Sequence, residues 1–306
     1  MSTMRRQRGA AVIVAMLVVA LAAIVSGSFM FRTHVQGRKL ENAAHAGQAR
    51  WLLRAAEQWG AAVLLDDALQ NSVDHLGETW RQEMPPLQAE GFRMGGHMVD
   101  LDGRFNLNGL VHGGKIDATQ LAIFRRLLLN LKLPLTLADA IADWLDADDE
   151  PTSEAGAEHA YYQRQLASVA PANRLLVSFD ELLPVRGMNT DRLEKLRPYV
   201  AVLPRPGPVN VNTAPPEVMA ALSATMTLDE AYALAAKRDH AYFRNLGDLR
   251  NALDNKMNID ERQVAFASSY FMLTAYIGHD RIALESQALF ERSGRSFPRL
   301  VWRTVR

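Results

Sequence analysis

At 306 residues, 48% of them hydrophobic and 22% charged, the chain has the composition of a globular protein rather than a disordered one. Its 34 Lys and Arg balance 34 Asp and Glu, which excludes the broad basic face of a nucleic-acid binder. It contains no cysteine, so disulfides, thiolate metal sites and cysteine nucleophiles are excluded, and its stability in an oxidising compartment has another source.

The chain opens with Arg5, Arg6 and Arg8, followed by 23 uncharged residues, 9–31, and then Arg32. At 1.5 Å per residue this proline-free run spans a hydrocarbon core of about 30 Å as one helix. A secretory signal has a shorter apolar core, roughly 7–15 residues, ending in a small-x-small site. Arg32, Arg38 and Lys39 on the far side leave charge asymmetry weak as a guide to orientation.

The junction Arg8-Gly9-Ala10-Ala11, with its lone glycine before the apolar helix, resembles a type IV prepilin-like leader. The resemblance implies that a prepilin peptidase cuts between Gly9 and Ala10 and methylates the new amino terminus at Ala10. It also implies that the apolar helix stays as the anchor and that the bulk of the chain is periplasmic. Most pilin-like proteins carry glutamate at the fifth mature position, where this chain has Val14. A missing glutamate together with a large soluble domain resembles the pseudopilin K family of the type II secretion system. On the leader alone, a plain single-pass anchor with an incidental glycine remains the alternative.

Past Arg32 the helical pattern continues, with Leu40, Ala43, Ala49, Leu52, Leu53, Ala56, Trp59 and Val63 at three- and four-residue steps to about Leu69. Gly27, Gly37, Gly47 and Gly60 are candidate bends. After a break at Pro85-Pro86, residues 91–108 read as two strands with turns at Gly95-Gly96 and Asp102-Gly103. The next strand signals come at the far end. Segments 269–278, 281–291 and 298–305 alternate with period two, split by residues 278–280 and 293–295, as an antiparallel meander.

Residues from about 109 to 265 read as helix and loop, with signs of internal duplication. Thr136-Leu-Ala-Asp-Ala140 echoes Thr227-Leu-Asp-Glu-Ala231, and Ser178-Phe-Asp-Glu-Leu-Leu183 echoes Asn245-Leu-Gly-Asp-Leu-Arg250, at offsets of 91 and 67 residues. The first copy is longer by 24 residues, which include 146–162; chance likeness between amphipathic helices is the competing explanation. Residues 179–188 resemble a helix-hairpin-helix element, read here as a unit of internal architecture with a partner-binding surface rather than a DNA contact.

Between Asp143 and Glu158, seven carboxylates (Asp143, Asp146, Asp148, Asp149, Glu150, Glu154 and Glu158) fall within sixteen residues, with no Lys or Arg. Such a loop suits calcium, which takes six to eight oxygens, better than magnesium with its strict octahedron. It is no EF-hand, because Pro151 stands where that loop requires glycine and Glu158 falls one residue late. A solvated acidic turn without an ion is the other reading of the same residues. Trp144, Tyr161 and Tyr162 flank the loop and read as core anchors.

The segments 102–108, 143–151, 156–162 and 209–215 occur in the order found in the pseudopilin K family, so with the leader the resemblance covers essentially the whole chain. It implies structural Ca2+ in the helical region. The side-chain ligands expected are Asp146, Asp148 and Glu158, with Asp143, Asp149 and Glu150 as further candidates.

The reading is therefore an α+β protein in which a pilin-like long N-terminal helix packs on an antiparallel sheet, with a large all-helical insertion domain. Its parts are a leader at 1–9, a transmembrane helix at 10–31, a pilin-like domain at 32–108 and 266–306, and the insertion at 109–265. No nucleophile elbow, Walker loop, His-Glu-x-x-His or dinucleotide fingerprint is present, and the eight histidines are scattered, so no catalytic residue is assigned. The resemblance implies a non-enzymatic minor pseudopilin in the bacterial inner membrane. It would sit at the tip of the periplasmic pseudopilus with other minor pseudopilins, touch the inner-membrane secretion platform, and help start assembly for protein export. The alternative is a membrane-anchored periplasmic binding protein whose helical domain holds a ligand or partner.

Overall fold

The computed structural model describes residues 3–89, 91–164, 170–253, 259–280 and 282–306. Met1 and Ser2 of the expected leader, Arg281 of the expected meander and two stretches of the expected insertion lie outside them.

Helix α1 runs unbroken over Thr3–Gln70, 68 residues without a proline. It ends at Asn71, whose side-chain oxygen accepts from the amides of Ser72 and Val73 and turns the chain out of the helix. From Ala10 its first half is exposed and is long and apolar enough to cross a membrane. The four glycines do not interrupt it. Three of them face open space, whereas a β-carbon at Gly60 would lie 3.0 Å from Leu273, so only Gly60 serves close approach.

Strands β1 (Met84–Ala89) and β2 (Phe92–Asp100) form the first hairpin. Two expectations are corrected here. Pro85-Pro86 does not precede the strand but lies inside β1, an edge strand whose register shifts between Met84 and Leu87, where missing amide donors are tolerated. Gly95-Gly96 is no turn either, because β2 passes straight through it. A β-carbon at Gly95 would lie 2.1 Å from the Tyr276 hydroxyl, and one at Gly96 2.6 Å from the Thr274 carbonyl. Those glycines admit a neighbouring strand rather than reverse the chain. The expected turn at Asp102-Gly103 is present.

After β2 the chain leaves the sheet through β3 (Phe105–Asn106), a 3-10 turn at Leu107–Leu110, and the small ribbon β4 (Val111–His112) and β5 (Lys115–Ile116). Helices α2 (Ala118–Asn130), α3 (Thr136–Leu145), α4 (His159–Tyr162) and α5 (Thr190–Leu196) follow, then β6 (Val200–Ala201) and β7 (Val209–Asn210). Helices α6 (Pro216–Leu222), α7 (Leu228–His240) and α8 (Leu246–Ala252) lead to β8 (Val264–Ala265). The region expected to be wholly helical, 109–265, thus also contains short strands: β7 pairs in parallel with β8, and β6 pairs in parallel with β3 just before the region.

The meander matches its expected bounds closely, as β9 (Tyr270–His279), β10 (Ile282–Glu291) and β11 (Arg299–Val305). The five-stranded antiparallel sheet has the order β1-β2-β9-β10-β11 and is completed from both sides of the insertion. Helix α1 lies across its middle. Ala49 and Leu53 pack on Phe92, Ala275 and Ile277, and Ala61 and Leu64 pack on Met98, Phe271, Leu273 and Phe290. The end of α1 therefore lies beside the end of β2 and the start of β9, and the insertion emerges from the part of the sheet farthest from the apolar half of α1.

A buried polar junction fixes the insertion there. The Arg292 guanidinium donates to Asp67 at 2.8 Å and to Asp74 at 2.5 Å. Asp100 accepts from Thr213 at 2.5 Å, Ser268 at 2.6 Å and Asn210 at 3.2 Å.

Inside the insertion the duplication is structural. In the first copy Asn108 donates to the Leu176 carbonyl at 3.0 Å and accepts from its amide at 2.8 Å, two residues before Ser178 caps a 3-10 turn. In the second copy Asn212 does the same to Phe243, at 2.8 Å for both bonds, two residues before Asn245 caps α8. Each clamp is oriented by a preceding asparagine, Asn106 or Asn210, whose side-chain oxygen accepts the clamp residue's own amide. One continuous apolar core, including stacked Phe105 and Phe124, runs through both copies.

Candidate metal centre

Asp139, Asp143 and Asp146 follow at four- and three-residue steps, so they share one face of α3 and its C-terminal cap. They are buried, yet among the described residues only the first has a cation. Arg125 bonds Asp139 at 2.5 Å, and the Ser153 hydroxyl donates to its other oxygen at 2.6 Å.

Asp143 is held by the loop that follows α3. Its Oδ1 accepts from the amide of Thr152 at 3.1 Å and from the Thr152 hydroxyl, and its Oδ2 accepts from the Ala157 amide at 2.8 Å. This fold-back depends on Gly156, where a β-carbon would sit 2.0 Å from Asp143 Oδ2. It carries Glu158 to the start of α4, opposite Asp146.

Asp143, Asp146 and Glu158 then each offer a carboxylate oxygen within 4.8 Å of the other two. Asp146 and Glu158 are each only 3% exposed, and Asp146 Oδ1 and both Glu158 oxygens have no hydrogen-bond partner among the described residues. Burial, followed by the charges of Asp143, Asp146, Asp149 and Asp148, pushes Glu158 up to about 8. Burial, followed by Asp148 and Asp143, pushes Asp146 up to about 7. Burial also raises Asp143, against its three hydrogen bonds.

Uncompensated carboxylates at this depth are costly, and they demand either protons or a cation. The donor set is oxygen only, which suits a hard divalent ion; three carboxylates fill part of a six- to eight-oxygen shell, leaving the rest to carbonyls and water. The residues thus fit the ion that the sequence suggested.

The expected ligands are placed as follows. Asp146 and Glu158 come together, and Asp143, held as a further candidate, completes the trio. Asp148 is exposed and uses Oδ1 to accept the Glu150 amide at 3.0 Å, so it acts on the trio through its charge. Asp149 accepts the His159 amide at 3.1 Å, and Glu150 is exposed. Trp144 and Tyr162 are buried against each other edge-on, 5.3 Å between ring centroids, as anchors of the loop. Ala10 and Val14 lie in the exposed apolar half of α1, and Gly9 lies within the same helix.

Sequence reading missed Thr152, Gly156 and Arg186 as supports of this loop. It also missed a second acidic group, Asp67, Asp74 and Glu78, which only the fold assembles. That group already has its cation in Arg292, and Glu78 accepts from Asn71, His75 and Trp80. It is a structural ion-pair network and not a vacant centre.

Two family models, both described as type II secretion system (T2SS) protein K, match residues 103–205 and 209–266, which correspond to the two structural copies. The chain is 38% identical to type II secretion system protein K of Pseudomonas aeruginosa over 229 residues, 71% of this chain and 68% of that protein. It is 30% identical to the protein of the same name from Aeromonas hydrophila, over 94% of each. A chain in the crystal structure of the GspK-GspI-GspJ complex from the enterotoxigenic Escherichia coli type 2 secretion system superposes with a TM-score of 0.76. That match covers 87% of this chain and 99% of the other at 21% identity, so it shows a shared fold.

Proposed function

The chain belongs to the type II secretion system protein K family, and from that premise we propose how its parts divide the work of a minor pseudopilin. Prepilin peptidase removes residues 1–9 and methylates Ala10. The apolar half of α1 then holds the protein in the inner membrane, with the sheet and insertion in the periplasm.

The protein occupies the tip of the pseudopilus, beside two other minor pseudopilins, and helps to start its assembly on the inner-membrane platform. It does so by binding alone, with no catalytic step. The observation that carries this reading is where the insertion is attached. It rises from the end of the head opposite the membrane helix, where a subunit stacked above would need to pack. Val14 supports the same place, since it removes the charge that pairs with a neighbouring amino terminus and whose isolation in an apolar filament core is costly. A complex of this family's fold with two further pseudopilus proteins supports the partner class.

In the insertion, Asp143, Asp146 and Glu158 hold a structural Ca2+ ion. Bound there, the ion supplies positive charge to three buried carboxylates and so braces a domain that has no disulfide.

The missing cysteines make the partner test direct. A single cysteine placed at exposed Gln58 on α1 should form disulfide crosslinks to cysteines in the long helices of the other minor pseudopilins in membranes. Recovery of only uncrosslinked protein across a scan of exposed α1 positions would refute the tip assembly.

A further inference from the structure

Among the described residues, one cation ties the acidic loop down from outside, and it touches none of the loop's carboxylates. Arg186 lies in the turn between the 3-10 helix Phe179–Leu182 and α5. Its Nη1 donates to the Gly156 carbonyl at 2.8 Å and to the Glu154 carbonyl at 3.1 Å. Its guanidinium carbon stands 4.7 Å from the centroid of the Tyr161 ring, and its backbone amide donates to the Tyr162 hydroxyl at 3.1 Å. These contacts fix the peptide on both sides of Ala157, whose amide holds Asp143, and place Glu158 against Asp146.

We propose that Arg186 is the positioning residue of the ion site: a latch that closes the loop around Ca2+ while leaving every carboxylate of the trio free to bind it. The inference rests on the calcium reading above. A cation here has two opposite effects, so the sign of its contribution is diagnostic. As a bare charge it repels Ca2+. As a latch it orders Glu158 beforehand, and the ion then meets a prepared site at lower entropic cost.

Arginine does what lysine cannot. Its Nη1 reaches two carbonyls while the planar guanidinium face stacks on an aromatic ring, whereas an ammonium offers a point charge without a face. A second clasp, from the Asn173 side chain to the Asp148 carbonyl at 3.3 Å, holds the opposite flank, so Arg186 acts on the 154–158 limb together with the Ala157–Asp143 bond.

The test is a calcium titration by calorimetry on the detergent-solubilised, chelator-stripped full chain, with melting curves taken in chelator. Wild type should bind, and Arg186→Ala and Arg186→Lys should each weaken binding by roughly tenfold or more, as loss of an outer-shell support does. An Arg186→Ala protein that binds equally or more tightly would overturn the latch in favour of simple charge. So would a lower melting temperature in chelator with unchanged affinity, which marks ordinary structural support. Should Arg186→Ala fail to fold, Arg186→Lys and Tyr161→Leu decide, since both should weaken binding and unchanged affinity in both refutes the proposal. Wild type that takes up no Ca2+ would refute the calcium reading itself, and the latch with it.

Discussion

Gly156 and Asp143 occupy each other's space: a β-carbon on the glycine would stand 2.0 Å from the carboxylate oxygen that accepts the Ala157 amide. The loop closes over Asp143 only because residue 156 has no side chain. Gly156→Ala must either push Asp143 away or open the loop, losing a buried charge-assisted hydrogen bond worth about 1.5–3 kcal/mol. The rise in melting temperature expected when calcium is added to the wild type should largely vanish in this variant. A Gly156→Ala protein with the full calcium response would show that the loop does not form the site.

The raised carboxylates set a pH dependence. In the metal-free protein, Glu158 titrates near 8 and Asp146 near 7, against ordinary values of 4.5 and 3.8. The folded state therefore holds protons that the unfolded state has released, so stability is full below about pH 4 and falls as pH rises through 7 to 8. In chelator the melting temperature should be higher at pH 5 than at pH 8, and calcium binding should release protons. Asp67 and Asp102, each also pushed up to about 7, add a slope of the same sign that calcium does not remove.

Glu158→Gln separates the two contributions. The amide removes the most strongly raised carboxylate while keeping its shape, so in chelator at pH 8 this variant should melt above wild type. Its response to calcium should be lost. A variant that melts below wild type in chelator would mean that Glu158 contributes a favourable contact in the metal-free state.

Gly95 and Gly96 should differ sharply as alanines. The atom in the way at Gly95 is the hydroxyl of Tyr276, a half-exposed side chain free to swing aside, whereas at Gly96 it is the backbone carbonyl of Thr274. Gly95→Ala should cost about 1 kcal/mol or less, and Gly96→Ala about 2 kcal/mol or more, since the strand pair itself must shift. Urea unfolding of both variants measures the difference, and equal costs would refute the backbone argument.

The paired asparagines give the duplication an energetic signature. Asn212→Ala orphans both backbone groups of buried Phe243, and Asn108→Ala does the same at Leu176 while also losing a bond to the Leu203 carbonyl. Each should destabilise by about 2–4 kcal/mol, Asn108→Ala the more. Asparagine to aspartate should fail as well, because a carboxylate accepts from the amide but cannot donate to the carbonyl. Near-neutral alanine variants would mean that water replaces the clamps.

The sequence by itself determined whatever depends on period and on short-range chemistry. The apolar run from Gly9, the three- and four-residue steps to Leu69 and the alternation of the final strands each repeat within one element, so the end of α1 and the meander were legible to within a residue or two, while α1 begins at Thr3, inside the expected leader. The carboxylates between Asp143 and Glu158 were legible as a cluster because they are close in the chain.

Tertiary structure decided everything that depends on which distant atom arrives. It chose Asp143 over Asp148 for the trio, because the helical face of α3 and the fold-back at Gly156 meet inside the core while Asp148 stays in water. It turned Gly95-Gly96 from a turn signal into a strand, because what those glycines accommodate is Tyr276 and the Thr274 carbonyl from the other side of a long insertion. It gave Asp67 and Asp74 their partner in Arg292 and the 154–158 limb its latch in Arg186. A residue's own periodicity is written beside it in the chain, but the space and charge around it are supplied by neighbours that only folding brings near.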